Sequence, residues 1–505
     1  MSTETELKLR ITPQSLARLK RHPLLKQHQL ARPVTRRLYN VYYDTPKLEL
    51  KKSAVALRLR RAGGQWLQTL KGGGSVQAGL HRRDEWEMPV SGEALDFSAP
   101  QAREWDAYLP ASLRKKLQPV FVTDFSRSAR VLAWHGAQIE LCMDQGEVRT
   151  GQHHSAICEV ELELKSGEPQ QVFELALVLL DSVPFELEAV SKAEQGYRLL
   201  AGYTESPVKA SVPVSGGKDG LAQVLQQLIW SCLSHLQGNL RGAMQSDDAE
   251  YLHQMRVALR RLRVVLRMAE NLGADEVLGG LSRDVAALCV ALGRTREWDV
   301  FVGHTLLPLR DRMPGHAGLQ ALLAEAESRR DACYAELRGE KQAVDLQKLL
   351  LRIAIWMSGS YWHDIGGGLP RARDFAARRL ERLSRRINRA ALHLPGADAD
   401  RLHALRILAK KLRYSAEFFA GLFDKRAAKR YLSTLSAMQE VLGQINDVAV
   451  AHRLLDSELA AALPQQREAL ALAKGWIAHD LSRQFVALRR AVKRLSAQEP
   501  FWGLE

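Results

Sequence analysis

The chain has 505 residues, a formal net charge of +15 and 46% hydrophobic residues. That is long for a single core, so two or more domains are expected. No apolar run reaches the roughly 18 residues of a membrane helix. The N-terminus is charged where a signal peptide would be apolar, and the five cysteines (142, 158, 232, 289, 333) are scattered without metal-type spacing. The expectation is a cytoplasmic protein with reduced thiols and no membrane partner. Residues 1–217 hold 29 Lys and Arg against 25 Asp and Glu, and residues 218–505 hold 43 against 32. The excess sits mainly in the second half and predicts a polyanionic partner.

From the N-terminus, short alternating stretches separated by turn signals such as Gly63-Gly64, Gly72-Gly73-Gly74 and Gln145-Gly146 predict a β-rich segment. Read by parity, Glu4, Glu6 and Lys8 share one strand face. Arg58 and Arg60 share another, opposite Leu57 and Leu59, and Lys71 lies on the parity of Leu67 and Thr69. Arg83, Glu85 and Glu87 are backed by Trp86 and Met88. Glu140 and Asp144 oppose Ile139, Leu141 and Met143, and Glu159, Glu161 and Glu163 oppose Val160, Leu162 and Leu164. Two arrangements satisfy this pattern. An antiparallel sheet could turn the charged face to water, or it could close and turn that face into a lumen. Clustered carboxylates raise one another's pKa unless they hold cations, and clustered Arg and Lys suit phosphate oxygens. Together they are the parts of metal-assisted phosphoryl transfer.

Residues 204–217 contain two prolines and two glycines without a long apolar pattern and predict a linker. From Leu221 onward, helical spacing predicts an all-α domain. It contains a repeat: Leu252-His253 to Arg263 returns as Leu402-His403 to Arg413, each followed by Leu-Gly (292–293, 442–443) and Asp-Val (299–300, 447–448). On a helix His253, Arg256, Arg260 and Arg263 form one stripe, and His403, Arg406, Lys410 and Arg413 form its twin. Neither stripe is laced with acids at four-residue spacing, so an external anion is expected to neutralise them. Arg378, Arg382, Arg385 and Arg389 form a third stripe.

The opening Glu4-x-Glu6-x-Lys8, the pair Arg58-x-Arg60, Lys71 and the pair Glu159-x-Glu161 resemble the CYTH superfamily of triphosphate tunnel metalloenzymes over roughly residues 1–203. The resemblance implies a closed antiparallel barrel around a charged tunnel, with flanking helices. It implies a metal site of Glu4, Glu6, Asp144, Glu159 and Glu161 for Mg²⁺ or Mn²⁺. Lys8, Arg58, Arg60, Lys71, Arg127 and Lys192 would grip the triphosphate, with Arg37, Arg83 and Glu85 lining the tunnel. Lys8 and Glu6 are the catalytic candidates. Arg127 and Lys192 rest on the resemblance alone. Residues 218–505 resemble the CHAD domain, which implies two similar helical bundles that bind inorganic polyphosphate along the basic stripes. Nucleic acid is disfavoured, because no aromatics interleave the basic helices and no groove-reading motif is present.

The expected protein is therefore multidomain α+β: a CYTH domain at 1–203, a linker at 204–217 and an all-α CHAD domain at 218–505. The expected activity is metal-dependent hydrolysis of inorganic tripolyphosphate. The alternatives are a catalytically idle polyphosphate scaffold, or thiamine triphosphatase or class IV adenylyl cyclase activity in the same tunnel.

Overall fold

The computed structural model describes residues 2–98, 104–213, 219–365, 368–394, 398–463 and 466–503. Part of the expected linker, 214–217, lies outside them. By internal contacts the chain divides into two units. The first is Met1–Ser206 with Val344–Gly359, and the second is Pro207–Ala343 with Ser360–Glu505. Residues 344–359, read from the sequence as part of the helical half, thus count with the first unit. There Gln347 Oε1 accepts a hydrogen bond from Leu187 N at 3.1 Å, and Lys348 pairs with Asp181 at 2.6 Å.

Among the described residues the first unit is built on nine strands: β1 Ser2–Ile11, β2 Val34–Asp44, β3 Ala56–Ala62, β4 Gln65–Gln77, β5 Leu80–Val90, β6 Gln118–Trp134, β7 Ala137–Thr150, β8 His153–Ser166 and β9 Phe185–Leu187. Their order is β5-β4-β3-β2-β6-β7-β8-β1-β9, and β1 also pairs with β5. That last pairing closes eight antiparallel strands into a barrel, leaving β9 as an addition to β1. Closure removes the exposed edges an open sheet would carry, and it settles the parity question: the charged faces point inward.

The outward apolar residues then need cover. Leu57, Leu70, Trp86 and Met88 pack with Trp105 and Leu109. Helices Pro13–Lys20 and Pro169–Leu180 bury Leu16, Leu19, Val172, Phe173 and Leu175. Inside, Leu38, Tyr42, Phe121, Phe125, Val148 and Ile157 gather around Tyr197 of the helix Lys192–Leu200. Gly196 lets that helix approach, since a Cβ there would lie 2.2 Å from the Phe121 ring.

The second unit is helical, and the repeat is visible in its caps. Asp248 and Asp398, 150 residues apart, cap helices Ala249–Glu270 and Ala399–Phe419 by accepting from Glu250 N and Arg401 N, each at 2.9 Å. Asp275 and Asp424 cap the following helices, Glu276–Phe301 and Lys425–Arg453, in the same way. Each of these runs on into a π-helical turn, Val302–Leu306 and Leu454–Leu459. The apolar stripe Leu252, Met255, Leu259 and Leu262 is fully buried, as helical spacing required. Among the described residues no helix is long and apolar enough to cross a membrane.

Candidate functional site

The barrel encloses a cavity of about 310 Å³. Asp144, Glu159 and Glu161, the last of which lines the cavity, each offer a carboxylate oxygen, and these oxygens lie within 4.8 Å of one another. Strand register brings them together: Asp144 faces Glu159 across β7 and β8, Arg127 of β6 faces Asp144, and Lys8 of β1 faces Glu161. Three cations interleave with the acids. Arg127 donates to both oxygens of Asp144, at 2.8 and 2.6 Å, and also to Glu161. Lys192 reaches Asp144 at 2.6 Å, Glu161 at 2.9 Å and Glu159. Lys8 bridges Glu161 and Glu6, the latter at 2.8 Å.

These neighbours decide the protonation states. Burial pushes Glu161 up, but Lys192, Lys8 and Arg127 together hold it well below the usual carboxylate range. Glu159 is raised, because its burial and the nearby Glu161 outweigh Lys192. Burial of Glu6 is overcome by Lys8, which holds it at about 2. Lys8 stays an ammonium: burial opposes that charge, but Glu161 and Glu6 raise its pKa.

Around the rest of the wall, Lys71 pairs with Glu4 and, at 3.3 Å, with Glu85, which also attracts Arg58 at 3.7 Å. Arg60 donates from Nε to Asn40 Oδ1 at 2.8 Å. Burial, then Arg58 and Arg127, lower its pKa to about 10. Arg83 and Glu85 line the cavity too.

Arg37 does not. β2 turns Leu38, Asn40 and Tyr42 inward, so Arg37 stands on the outer face, largely exposed, in a two-pronged pair with Asp124 at 2.9 and 2.8 Å. The five-carboxylate metal set also separates. Three members cluster, Glu6 is joined to them through Lys8, and Glu4 lies with Lys71 and Glu85.

In the second unit the two basic stripes converge on one cavity of about 830 Å³. His253, Arg256 and Arg260 line it from one repeat, and His403, Arg406 and Lys410 from the other. Burial together with Arg260 lowers Arg256 to about 10, and burial together with Arg260 and Arg406 lowers Lys410 to about 6. Burial, then Arg296, lowers His253 to about 4. Among the described residues, Arg406 Nε is buried without a hydrogen-bond partner. Arg263 and Arg413 fall outside the lining. Arg413 instead pairs with Glu417 four residues on, at 2.9 Å, so the second stripe does end on an acid. Arg378, Arg382, Arg385 and Arg389 line a separate surface groove with Glu381, which holds Arg385 at 2.5 Å.

Residues 2–197 match the model of the CYTH domain, and residues 227–456 match that of the CHAD domain. The chain carries a CYTH domain and a CHAD domain. An inorganic triphosphatase of Haemophilus influenzae is 35% identical over 205 residues, 39% of this chain. The match spans 55% of that relative, so this chain covers about half its length. An uncharacterized protein of Mycobacterium tuberculosis is 25% identical over 458 residues, 85% of this chain and 83% of the relative. The crystal structure of the CHAD domain from the plant Ricinus communis is 29% identical, with a TM-score of 0.50, and covers 59% of this chain and 99% of that one.

Charge balance in the CYTH cavity bears on the metal. Eight bases and seven carboxylates line it, with Asp144 and Glu159 just beneath, so the wall alone offers a polyanion little net attraction. Three closely set carboxylates with hard oxygen donors fit a small divalent cation such as Mg²⁺ or Mn²⁺, although Lys8, Arg127 and Lys192 now engage the same oxygens.

Several lining residues were not singled out from the sequence. Lys165 lies on the parity of Glu161 and Glu163, one step further along β8, and pairs with Glu163 at 2.7 Å and Glu140 at 3.1 Å. Tyr42 and Thr69 line the same wall. In the CHAD cavity His304 and His452 are further lining residues. Each follows the repeated Asp-Val by the same spacing, five residues after Asp299 and Asp447, so the repeat carried the signal.

Proposed function

We propose that the chain is a metal-dependent inorganic triphosphatase that cleaves tripolyphosphate to diphosphate and phosphate, with a CHAD cavity that binds inorganic polyphosphate. The observation that carries this reading is the convergence, in one closed lumen, of a three-carboxylate cluster with eight bases. The likeness to the Haemophilus triphosphatase supports it.

In this reading Asp144, Glu159 and Glu161 would hold Mg²⁺ or Mn²⁺, which would supply Lewis-acid neutralisation of phosphate charge. Arg58, Arg60, Lys71 and Arg83 bind and orient the phosphate chain along the wall. Lys8, Arg127 and Lys192, already poised at the carboxylates, turn their remaining donors to the oxygens on which charge builds. Lys8 acts as a fixed positive charge rather than a base, because Glu161 and Glu6 hold its proton. Glu6 is ionised down to about 2 and is a weak proton acceptor.

Tyr42 is the one aromatic side chain among the residues lining the cavity, which favours an inorganic chain over a nucleoside or thiamine triphosphate. In the CHAD cavity the bases His253, Arg256, Arg260, His403, Arg406 and Lys410 outnumber the acids Glu297, Asp400 and Asp447 among the lining residues, and a bound anion balances the excess. A cytoplasmic setting belongs to the same reading.

The test is phosphate release by the full-length protein from tripolyphosphate, thiamine triphosphate and ATP, each with Mg²⁺, Mn²⁺ or chelator, with ATP products checked for cyclic AMP. Selective, metal-dependent cleavage of tripolyphosphate is expected. Absence of turnover with polyphosphate binding intact would instead favour the scaffold.

A further inference from the structure

Arg60 is anchored by groups that carry no charge. Its Nε donates to Asn40 Oδ1 at 2.8 Å, and Asn40 Nδ2 donates to Thr123 Oγ1 at 2.9 Å. The three residues are direct cross-strand partners on β3, β2 and β6. Asn40 and Thr123 are both 0% exposed, so the pair that braces Arg60 is fully enclosed. The neighbouring bases follow another rule. Lys8, Arg58, Lys71, Arg127, Lys165 and Lys192 each have a carboxylate within 4.0 Å. Among the described residues no carboxylate comes that close to Arg60, nor to Arg83.

The chemistry of the acceptor matters here. Asparagine and aspartate have nearly the same shape, and either oxygen could receive the Nε–H. An aspartate would also cancel the guanidinium charge before any ligand arrived, whereas an amide fixes the side chain and leaves the charge whole. Tethering through Nε leaves the four Nη–H donors, the pair that grips two oxygens at once.

We infer that Asn40 is a positioning residue for the phosphate chain: through an uncharged acceptor braced by Thr123, it holds Arg60 in place while keeping its full positive charge for a phosphoryl oxygen. The inference rests on the triphosphatase reading of the same cavity.

The experiment compares Asn40→Asp with Asn40→Ala in the full-length protein, by tripolyphosphate turnover with Mg²⁺ or Mn²⁺ and by calorimetric titration with tripolyphosphate and metal. Asn40→Asp should raise KM and weaken binding by at least about tenfold, the scale of one charge-assisted hydrogen bond, with kcat changed by less than about threefold. Asn40→Ala, which removes the acceptor without adding charge, should be milder. A role confined to packing gives the reverse order, because aspartate preserves shape and acceptor. That order, or an unchanged KM and affinity in folded Asn40→Asp, overturns the inference. Should Asn40→Asp not fold, Asn40→Ala is placed in an Arg60→Ala background: no further change in KM is expected, and an additive loss overturns the inference. Wild-type protein that neither cleaves nor binds tripolyphosphate overturns the triphosphatase reading itself, a result separate from wild-type activity with the wrong order of variants.

Discussion

Glu161 is touched by three cations, Lys8, Arg127 and Lys192, and sits 6% exposed. Removing its charge leaves those cations crowded in a place water hardly reaches. Glu161→Gln should destabilise the protein by about 3 kcal/mol, the scale of a broken buried ion pair, read as a lower midpoint in urea. It should also reduce metal-dependent phosphate release at least about a hundredfold, as loss of a key charged group in the reacting pocket does. Retention of metal-dependent turnover would remove Glu161 from the metal site. Arg37→Ala provides the contrast. Its partner Asp124 is on the outside of the barrel, so KM for tripolyphosphate should stay within about twofold, in line with the small worth of exposed pairs. Arg58, Arg60 and Lys71 were legible because alternation with Leu57, Leu59 and Leu70 marked their face. Arg37 was not, since Thr35-Arg36-Arg37 alternates with nothing apolar and only the register of β2 assigns its side. Lys192 was likewise opaque: it is the first residue of a helix capped by Ser191, and docking of that helix, not local spacing, carries its ammonium to the carboxylates.

At the scale of elements, the helix Lys192–Leu200 is seated by a missing side chain. A Cβ at Gly196 would meet the Phe121 ring at 2.2 Å, and that ring is itself wedged against Tyr42 and Tyr197. Gly196→Ala should cost about 1–3 kcal/mol by overpacking and, by displacing Lys192 on the same helix, lower tripolyphosphate turnover. Normal turnover with reduced stability would uncouple the helix from the carboxylate cluster. In the CHAD unit, Lys410 faces Arg256, Arg260 and Arg406, with Asp447 the opposing acid, and its pKa falls from 10.5 to about 6. The unfolded chain binds this proton more readily, so the resulting loss of stability is absent above 10.5, grows as pH falls, and is complete below about 6. A bound polyanion favours the ammonium, so binding should take up a proton. Polyphosphate affinity, measured calorimetrically in two buffers of different ionisation enthalpy, should weaken between pH 6 and pH 8. Lys410→Arg should flatten that profile, and an equally steep profile in the variant would assign the proton elsewhere. The repeat that supplies these residues stood plainly in the sequence. That its two halves share one cavity did not, because helical periodicity describes each helix's own face and says nothing of which faces meet across 150 residues.

At the scale of the molecule, the uneven charge pointed to a polyanion, and the CHAD cavity, lined by bases from both repeats, gives that charge an address, whereas the bases of the barrel are matched by carboxylates. Arg256→Glu with Arg406→Glu should weaken polyphosphate binding at least about tenfold and make it less salt-dependent, as expected when screened charge contacts are lost. Cleavage of tripolyphosphate in the barrel should stay within about twofold of wild type, a normal range for substitutions remote from the chemistry. Unchanged polyphosphate binding would place the anion elsewhere on the chain. The segment 344–359 was the least legible part of the architecture, because its apolar spacing declares a buried helix without declaring which unit buries it.

That segment also sets a clock. The nine described strands of the first unit have been synthesised once Leu187 emerges, yet the amide of Leu187 donates to Gln347, 160 residues later. At 5–20 residues per second, roughly ten to thirty seconds of translation separate the two. Through that interval the nascent β9 stands without this side-chain acceptor while much of the helical unit is still being made.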